Sequence, residues 1–503
     1  RHPPAAPDST GAPAPTPDPN PTRPTTGPAG APGPLMPAPP ALPGLATKQG
    51  RFVDADGRAV TLRGCNLGNW LLLEMWMLDL PGVQDQAALE DILVSRFGNP
   101  GKDDLLDTYR ENFITRRDFP ILRSFGFNVV RVPFEYRLLE DEQRPLHLKA
   151  DAFRWLDRAV QLAQEHGMYA ILDLHGAPGR QSVDHTTGQA GRNGLWTERQ
   201  AQDRTVWLWK EIALHFRDST AVAGYDLINE PFGDYHTPAH LPALSELIAR
   251  LYRDVRAVDD RHILFIPGAQ QGIEHYGWPE GRGWTNVAFT EHYYPGLFGT
   301  EPTLETHARF LGQIIPRRAS RLQDMQAAML VGEFNVVHRS LAAPALMRRY
   351  FDEYAARGWA ATMWSYRLLR RTGGADGDFW GLVANRDPFV LPDPRTASFD
   401  EIKAAFASLG AMPYSVYEDL RTHLTNELPA AVPLAEYPAL RSAPARITHP
   451  VVLRNGVDAF ELSQLGLVRR DDQLAAAAVG HAATLAELVQ ESTPAHAGPR
   501  LER

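Results

Sequence analysis

The stretch Val222-Ala223-Gly224-Tyr225-Asp226-Leu227-Ile228-Asn229-Glu230 decides how the chain is read. It is a strand-length, largely apolar run that closes on a carboxylate, and a carboxylate in such a place is costly unless it is paired or used. Seven further runs of strand length lie at residues 61–67, 128–133, 169–175, 262–267, 287–294, 329–334 and 360–366. Helical patterns separate them. Phe153, Leu156, Val160 and Ala163 share one face of a segment stopped by Gly167, and Leu244, Leu247, Ile248, Leu251, Val255 and Val258 share another. Strands that are apolar on both faces and alternate with helices pair in parallel through crossovers, so eight such units predict a closed (β/α)8 TIM barrel. The competing open, doubly wound sheet lacks its usual mark, because no glycine-rich phosphate loop follows the first strand.

Working outward, the chain has 503 residues, 44% of them hydrophobic and 22% charged, which is globular composition. Prolines crowd one end: 16 of the 42 fall within residues 1–45, in a Pro/Ala/Thr-rich stretch expected to be a disordered linker. Residues 46–412 are assigned to the barrel. Residues 413–503 are left as a C-terminal extension of unknown role, with a hairpin signal at Asn455-Gly456 and an Ala/Leu helix near residues 473–490. The connection between the first two strands, about 60 residues long and including Trp70, is expected to wall one side of the barrel mouth. Residues 176–198, rich in Gly, Asp, His and Thr, are expected to form a surface loop.

A formal charge of −9 offers no positive field for phosphates, which argues against nucleic acid as a partner. Cys65 is the one cysteine, so an intrachain disulfide and cysteine-based metal sites are excluded. No run reaches the roughly 18 apolar residues of a membrane span. The chain begins at Arg1 without Met or an apolar leader, and the expectation is an exported bacterial protein in which the Pro-rich segment tethers the catalyst. The sequence leaves the oligomeric state open, with a monomer as the simplest expectation.

In such a barrel the chemistry lies at the carboxyl ends of the strands. The polar residues there are Arg131, His175, Asn229 and Glu230, His292 and Tyr294, Glu333, and Trp364. Two carboxylates on strands four and seven would face each other across the mouth, an arrangement suited to cleaving a glycosidic bond. One carboxyl protonates the leaving oxygen and the other acts at the anomeric carbon, with retention at a gap of about 5–5.5 Å and inversion at about 6.5–9.5 Å. A carboxylate near Arg131 and Tyr294 stays ionised, whereas one without a cation holds its proton near neutral pH.

These motifs resemble glycoside hydrolase family 5, the cellulase and β-glucanase family of retaining barrel enzymes. The resemblance is carried by Val130-Arg131-Val132-Pro133, Asp173-Leu174-His175-Gly176, Ile228-Asn229-Glu230-Pro231, Glu291-His292-Tyr293-Tyr294, Val331-Gly332-Glu333-Phe334 and Met363-Trp364-Ser365. It implies Glu230 as acid/base and Glu333 as nucleophile, with Arg131 and Tyr294 holding Glu333 and His292 beside Glu230. It further implies that Asn229 bonds the sugar 2-hydroxyl, that Trp364 stacks beneath the sugar and that His175 lines the same floor. Two more stretches, Gly68-Asn69-Trp70-Leu71-Leu72-Leu73-Glu74-Met75-Trp76 and His175-Gly176-Ala177-Pro178-Gly179-Arg180-Gln181, resemble the exo-β-1,3-glucanase branch and its bacterial relatives. They imply that Glu74 binds the terminal sugar in a closed pocket. Residues 182–193 follow that branch only loosely, and Phe298 and Trp196 are the two candidates for an aromatic clamp.

The resulting expectation is a retaining enzyme on β-glucan, oligosaccharide or β-glucoside substrates, exo-acting, with no metal or organic cofactor. Its alternatives are an endo-β-1,4-glucanase, a glycosidase of glycolipids or small glycosides, and a non-catalytic carbohydrate-binding barrel. The activity is expected to follow a bell in pH, its alkaline limb set by loss of the Glu230 proton. Asp376 and Asp378 lack EF-hand spacing and read as a solvated turn, and His185 and His236 lack a metal-ligand spacing. Of Trp207 and Trp209, at least one reads as packing.

Overall fold

The computed structural model describes residues 41–425, apart from 236–237, 270–271, 299, 338–342 and 374–379. The Asp376/Asp378 turn, His236, the Asn455-Gly456 hairpin, the helix near 473–490 and residues 1–40 lie outside the described residues. Among the described residues eight parallel strands close into a barrel: β1 (Arg63–Asn66), β2 (Val129–Glu135), β3 (Tyr169–Gly176), β4 (Val222–Asp226), β5 (Ile263–Pro267), β6 (Val287–Tyr293), β7 (Ala328–Phe334) and β8 (Ala360–Met363). Each pairs with its neighbour in sequence, and β8 pairs with both β7 and β1, which seals the ring. The run that opened the reading is strand only as far as Asp226; residues 227–230 leave the sheet, and Glu230 takes φ +38°.

Helices cover the outside as their apolar spacing requires. Helix Arg154–Glu165 buries Leu156, Val160 and Ala163, and helix Leu241–Arg256 buries Leu244, Leu247, Ile248, Leu251 and Val255. Inside, the lower half of the barrel is filled by Val129, Ile171, Ile263, Phe265 and Leu330, all fully buried. An antiparallel hairpin, Leu45–Lys48 with Arg51–Asp54, closes the bottom by placing Leu45 and Phe52 against that cluster. The Tyr169 hydroxyl also donates to the Pro43 carbonyl (2.9 Å), which ties the segment before the hairpin to the barrel.

Of residues 413–503, left as an extension of unknown role, the described part runs as far as Thr425. Residues 414–424 belong with the barrel: Tyr414–Val416 completes a small sheet with Val383–Asn385 and Arg367–Leu368, and helix Glu418–Leu424 docks on helix Ala343–Ala356. Arg348 donates to the carbonyls of His423 (3.3 Å) and Leu424 (2.8 Å), while Leu420 and Leu424 are buried. Residues 176–198 also differ from a plain surface loop. Arg180, Gln181, Ser182 and Thr187 are buried, because this segment braces the strand ends instead of leaving them. No helix among the described residues is long and apolar enough to cross a membrane.

Candidate active site

The upper barrel is organised around Arg131, which projects inward from β2 and is fully buried. Its Nε donates to Asp226 Oδ2 (2.8 Å), its Nη1 to Glu333 Oε1 (3.0 Å) and Asn66 Oδ1 (3.0 Å), and its Nη2 to Asn229 Oδ1 (3.0 Å). Asp173 Oδ1 lies 3.0 Å from the same Nη2. Burial works against the guanidinium charge, but the carboxylates of Asp173, Asp226 and Glu333 outweigh it and hold the cation in place. For the aspartates burial wins over the cation: Asp173 is pushed up to about 7 and Asp226 to about 6. At pH 7 Asp226 is therefore mainly ionised, while Asp173 is partly protonated.

Glu333, at the end of β7 and 5% exposed, takes its second support from the Tyr294 hydroxyl, which donates to Oε2 (2.9 Å). Gly332 allows His292 to come this close, since a Cβ there would stand 2.9 Å from His292 Nε2 and 2.7 Å from Thr290 Oγ1. Glu230 sits opposite, with Oε1 2.8 Å from His292 Nδ1, and that nitrogen is 3.5 Å from Glu333 Oε2. One oxygen of each glutamate and a His292 nitrogen all lie within 4.8 Å of one another. Burial raises Glu230 to about 7, opposed by His175 and Arg131 and aided by Asp184. Burial likewise pushes His175 and His292 down to about 4, so both rings are neutral at pH 7. The two carboxyls thus differ by surroundings: one is clamped by a cation and a phenol, the other is paired with a neutral ring.

The segments around Glu230 are pinned by Gln181. Its side-chain nitrogen donates to the carbonyls of His175 (2.7 Å) and Asn229 (2.9 Å), while its backbone carbonyl accepts from Gly233 N (3.1 Å) and Trp196 Nε1 (2.9 Å). That bracing supports the positive φ of Glu230, which costs on the order of 1 kcal/mol for a residue with a Cβ. His175 is held by Asp173 Oδ2 (2.7 Å) and stacks on Trp364, ring centres 5.4 Å apart at 17°. Asn66 Nδ2 donates to the carbonyls of Gly332 (2.9 Å), Thr362 (3.2 Å) and Met363 (3.1 Å), tying β1 across the barrel seam to β7 and β8.

Above this floor opens a cavity of about 1030 Å3. Its lining includes Glu74, Trp76, Trp364, Leu297 and Phe310, with Trp380 in ring contact with Trp76 (5.4 Å), Tyr294 (5.8 Å) and Phe298 (6.5 Å). Glu74 comes from the long connection after β1, is 3% exposed and accepts from Trp76 Nε1 (2.6 Å). Burial raises it to about 8, against the pull of the indole and with repulsion from Glu333, Glu230 and Asp184. All nine residues singled out in the sequence line this cavity or the smaller one behind Glu230. Of the two clamp candidates, Phe298 stands on the rim, 79% exposed and edge-on to Tyr294 (5.4 Å), whereas Trp196 is buried against His240. Trp209 is fully buried, with its indole nitrogen on the Leu227 carbonyl (2.8 Å).

Sequence reasoning did not single out Asp226, Asp173, Asp184, Trp380 or Gln181. The first two carried a signal, because Asp173 and His175 alternate on the inner face of one strand and Asp226 is a lone acid inside an apolar run. Asp184 accepts from the Tyr235 hydroxyl (3.0 Å) and, like Trp380, reaches the mouth from a loop, where no periodicity marks direction.

The Cellulase (glycosyl hydrolase family 5) model matches residues 98–368. A β-xylosidase of Phanerodontia chrysosporium is 37% identical over 271 residues, 52% of this chain and 54% of that protein. A probable glucan 1,3-β-glucosidase A of Aspergillus niger is 27% identical over 252 residues, 49% of this chain and 58% of that protein. The matches to these curated relatives thus span little more than half of their length. Among solved structures, the rutinosidase from Aspergillus niger shares the fold with a TM-score of 0.52 at 18% identity, covering 64% of this chain and 95% of that one. The family model covers more than half of the 503 residues, including the strand ends that carry Arg131, Glu230 and Glu333, and the chain belongs to glycosyl hydrolase family 5.

Proposed function

We propose that the chain is a retaining β-glycosidase that removes single sugars from the non-reducing end of β-glucans or β-glucosides. The observation that carries this is the close approach of two unlike carboxyls, one oxygen of Glu230 lying within 4.8 Å of one of Glu333. So short an oxygen-to-oxygen approach favours the narrower of the two glycosidase geometries, in which the second carboxylate attacks directly.

In the first step a Glu333 oxygen bonds to the anomeric carbon while the Glu230 proton passes to the leaving oxygen. Arg131 and Tyr294 hold Glu333 and aim it. Glu230, raised to about 7, carries the proton to be given. In the second step Glu230 accepts a proton from water, the water oxygen bonds to the same carbon, and the ester to Glu333 breaks. Two inversions restore the configuration. Glu230, His292 and Glu333 are also spaced as a cation site would be. A cation there would occupy both carboxyls and displace the proton that Glu230 must donate, so activity is expected to survive a chelator.

The exo mode is supported by the buried carboxyl of Glu74, which accepts from the Trp76 indole and lines the cavity beside Trp76 and Trp380. A carboxyl there can hydrogen-bond adjacent hydroxyls of a terminal sugar. Digestion of a laminari-oligosaccharide ladder tests this: release of glucose alone is expected, and mixed oligosaccharides from a long polymer would overturn the exo reading. The 37% identity to a protein named β-xylosidase favours a second reading, a terminal sugar without the C6 hydroxymethyl group. Faster turnover of an aryl β-xyloside than of the aryl β-glucoside would select it.

A further inference from the structure

A second cavity, of about 400 Å3, lies on the far side of Glu230 from the mouth. It begins inside the barrel beside Arg131, Asp226 and Thr290, and leaves through the wall above β5, past Gly268 and Ala269. There β5 ends at Pro267, and the missing side chain of Gly268 lets Glu291 lie close against the backbone, where a Cβ would stand 2.8 Å from its Cγ. The outer end lies at Gly272 and Arg318, next to Glu274, whose side chain is 51% exposed and paired with Arg318 (2.6 Å). Glu230, Phe232, His292, Tyr293 and Ile314 line both cavities, so the two meet along that partition.

The lining is suited to water. Asp226 Oδ1 and Thr290 Oγ1 are buried and have no hydrogen-bond partner among the described residues. Buried acceptors so placed are satisfied by ordered water. Farther out, Glu291 is held by Arg318 (2.9 Å) and the Tyr293 hydroxyl, which keeps the route charged toward the surface. At about 30 Å3 per molecule the cavity has room for on the order of ten waters.

We propose that this cavity is a lateral water passage serving the second half of the reaction; the inference rests on the double-displacement reading. Water entering beside Arg318 reaches Glu230 from behind, without passing through a mouth still occupied by the departing aglycone. There its proton goes to the Glu230 carboxylate, its oxygen bonds to the anomeric carbon, and the carbon–oxygen bond to Glu333 breaks, freeing that carboxylate.

The test narrows the passage at Ala269, which lies on its wall and is not part of the catalytic or sugar-binding set. On an aryl β-glycoside with a good leaving group, kcat/KM reports formation of the glycosyl-enzyme, and kcat its breakdown. Ala269→Leu is expected to lower kcat and KM together by about tenfold and leave kcat/KM unchanged. It also raises the share of glycosyl transferred to benzyl alcohol, an acceptor too large for the passage. Ala269→Ser is expected to behave as wild type, and Ala269→Val carries the same test with a smaller filling should the leucine variant not fold. Unchanged kcat and transfer share in the Leu or Val variant overturn the passage. A raised KM with lowered kcat/KM also overturns it, by making the cavity a substrate subsite. A wild-type enzyme whose first-formed sugar has inverted anomeric configuration, read by NMR, removes the double displacement itself, and the passage with it.

Discussion

The lower half of the barrel interior is closed by apolar side chains such as Val129, Ile171, Phe265 and Leu330, whereas the upper half is built around one buried cation and its carboxylates. Both halves are made by the same strands, a few residues apart. In β2, Val129 serves the lower half and Arg131 the upper; in β7 the same division falls between Leu330 and Glu333. Apolar burial stabilises the fold roughly in proportion to area, while desolvating a salt-bridge network returns little or no net stability. The difference teaches that the lower half holds the tube together and the upper half spends part of that stability on aiming two glutamates.

That division can be broken by substitution, and the sharpest test is Glu333→Ala. It is expected to lower kcat/KM by at least about 10^4-fold. The thermal midpoint should stay within a few degrees of wild type, and unchanged hydrolysis would remove Glu333 from its role. Glu230→Gln comes next, with a loss of about 10^2- to 10^4-fold on substrates whose leaving group needs a proton. Its pH profile sharpens the point. Glu230 is raised to about 7 and must be protonated to act as the acid, so wild-type kcat/KM falls as pH climbs through about 7. With an aryl leaving group that needs no protonation, that alkaline limb should vanish.

Arg131→Met crosses the boundary between the halves. Turnover should fall by about 100-fold, a loss comparable to removing a donor from a preorganised electrostatic site. Denaturant titration should show a loss of about 3–5 kcal/mol, because Asp226, Asp173 and Glu333 lose their shared cation. Phe265→Ala has the smallest expected effect on turnover, leaving kcat/KM within twofold of wild type. Its stability cost is about 3–5 kcal/mol, the usual result of a large cavity in a close-packed core. A comparable loss of turnover would show that the two halves are mechanically coupled.

The strands and the inward residues at their ends were legible because a strand repeats every two residues and a run closing on Glu, Arg or His stands out against it. Arg131, His175, Glu230, His292 and Glu333 meet for that reason. Legibility failed where periodicity is absent. Nothing in the composition of residues 176–198 told the buried brace Gln181 from an exposed residue such as Arg192. Phe298 and Trp196 were equal candidates for the rim until the loops had directions. The packing of residues 414–424 was left open because Tyr414–Val416 spans three residues and helix Glu418–Leu424 seven, too few for either repeat to register. Glu74 was found through resemblance, since its burial depends on where a long connection folds back.

Asn66 has a consequence for the order in which the protein comes into being. Its side chain holds Arg131 on one side and the carbonyls of Thr362 and Met363 on the other, partners separated from it by 296 and 297 residues. At 5–20 residues per second a ribosome takes roughly 15 to 60 s to cover that distance. Until the interval ends the ring cannot be sealed, and the residue that anchors the Arg131 guanidinium lacks its other attachments. The nascent chain is therefore expected to gain its sugar-cleaving competence late and abruptly, when the last strand emerges and the ring is sealed.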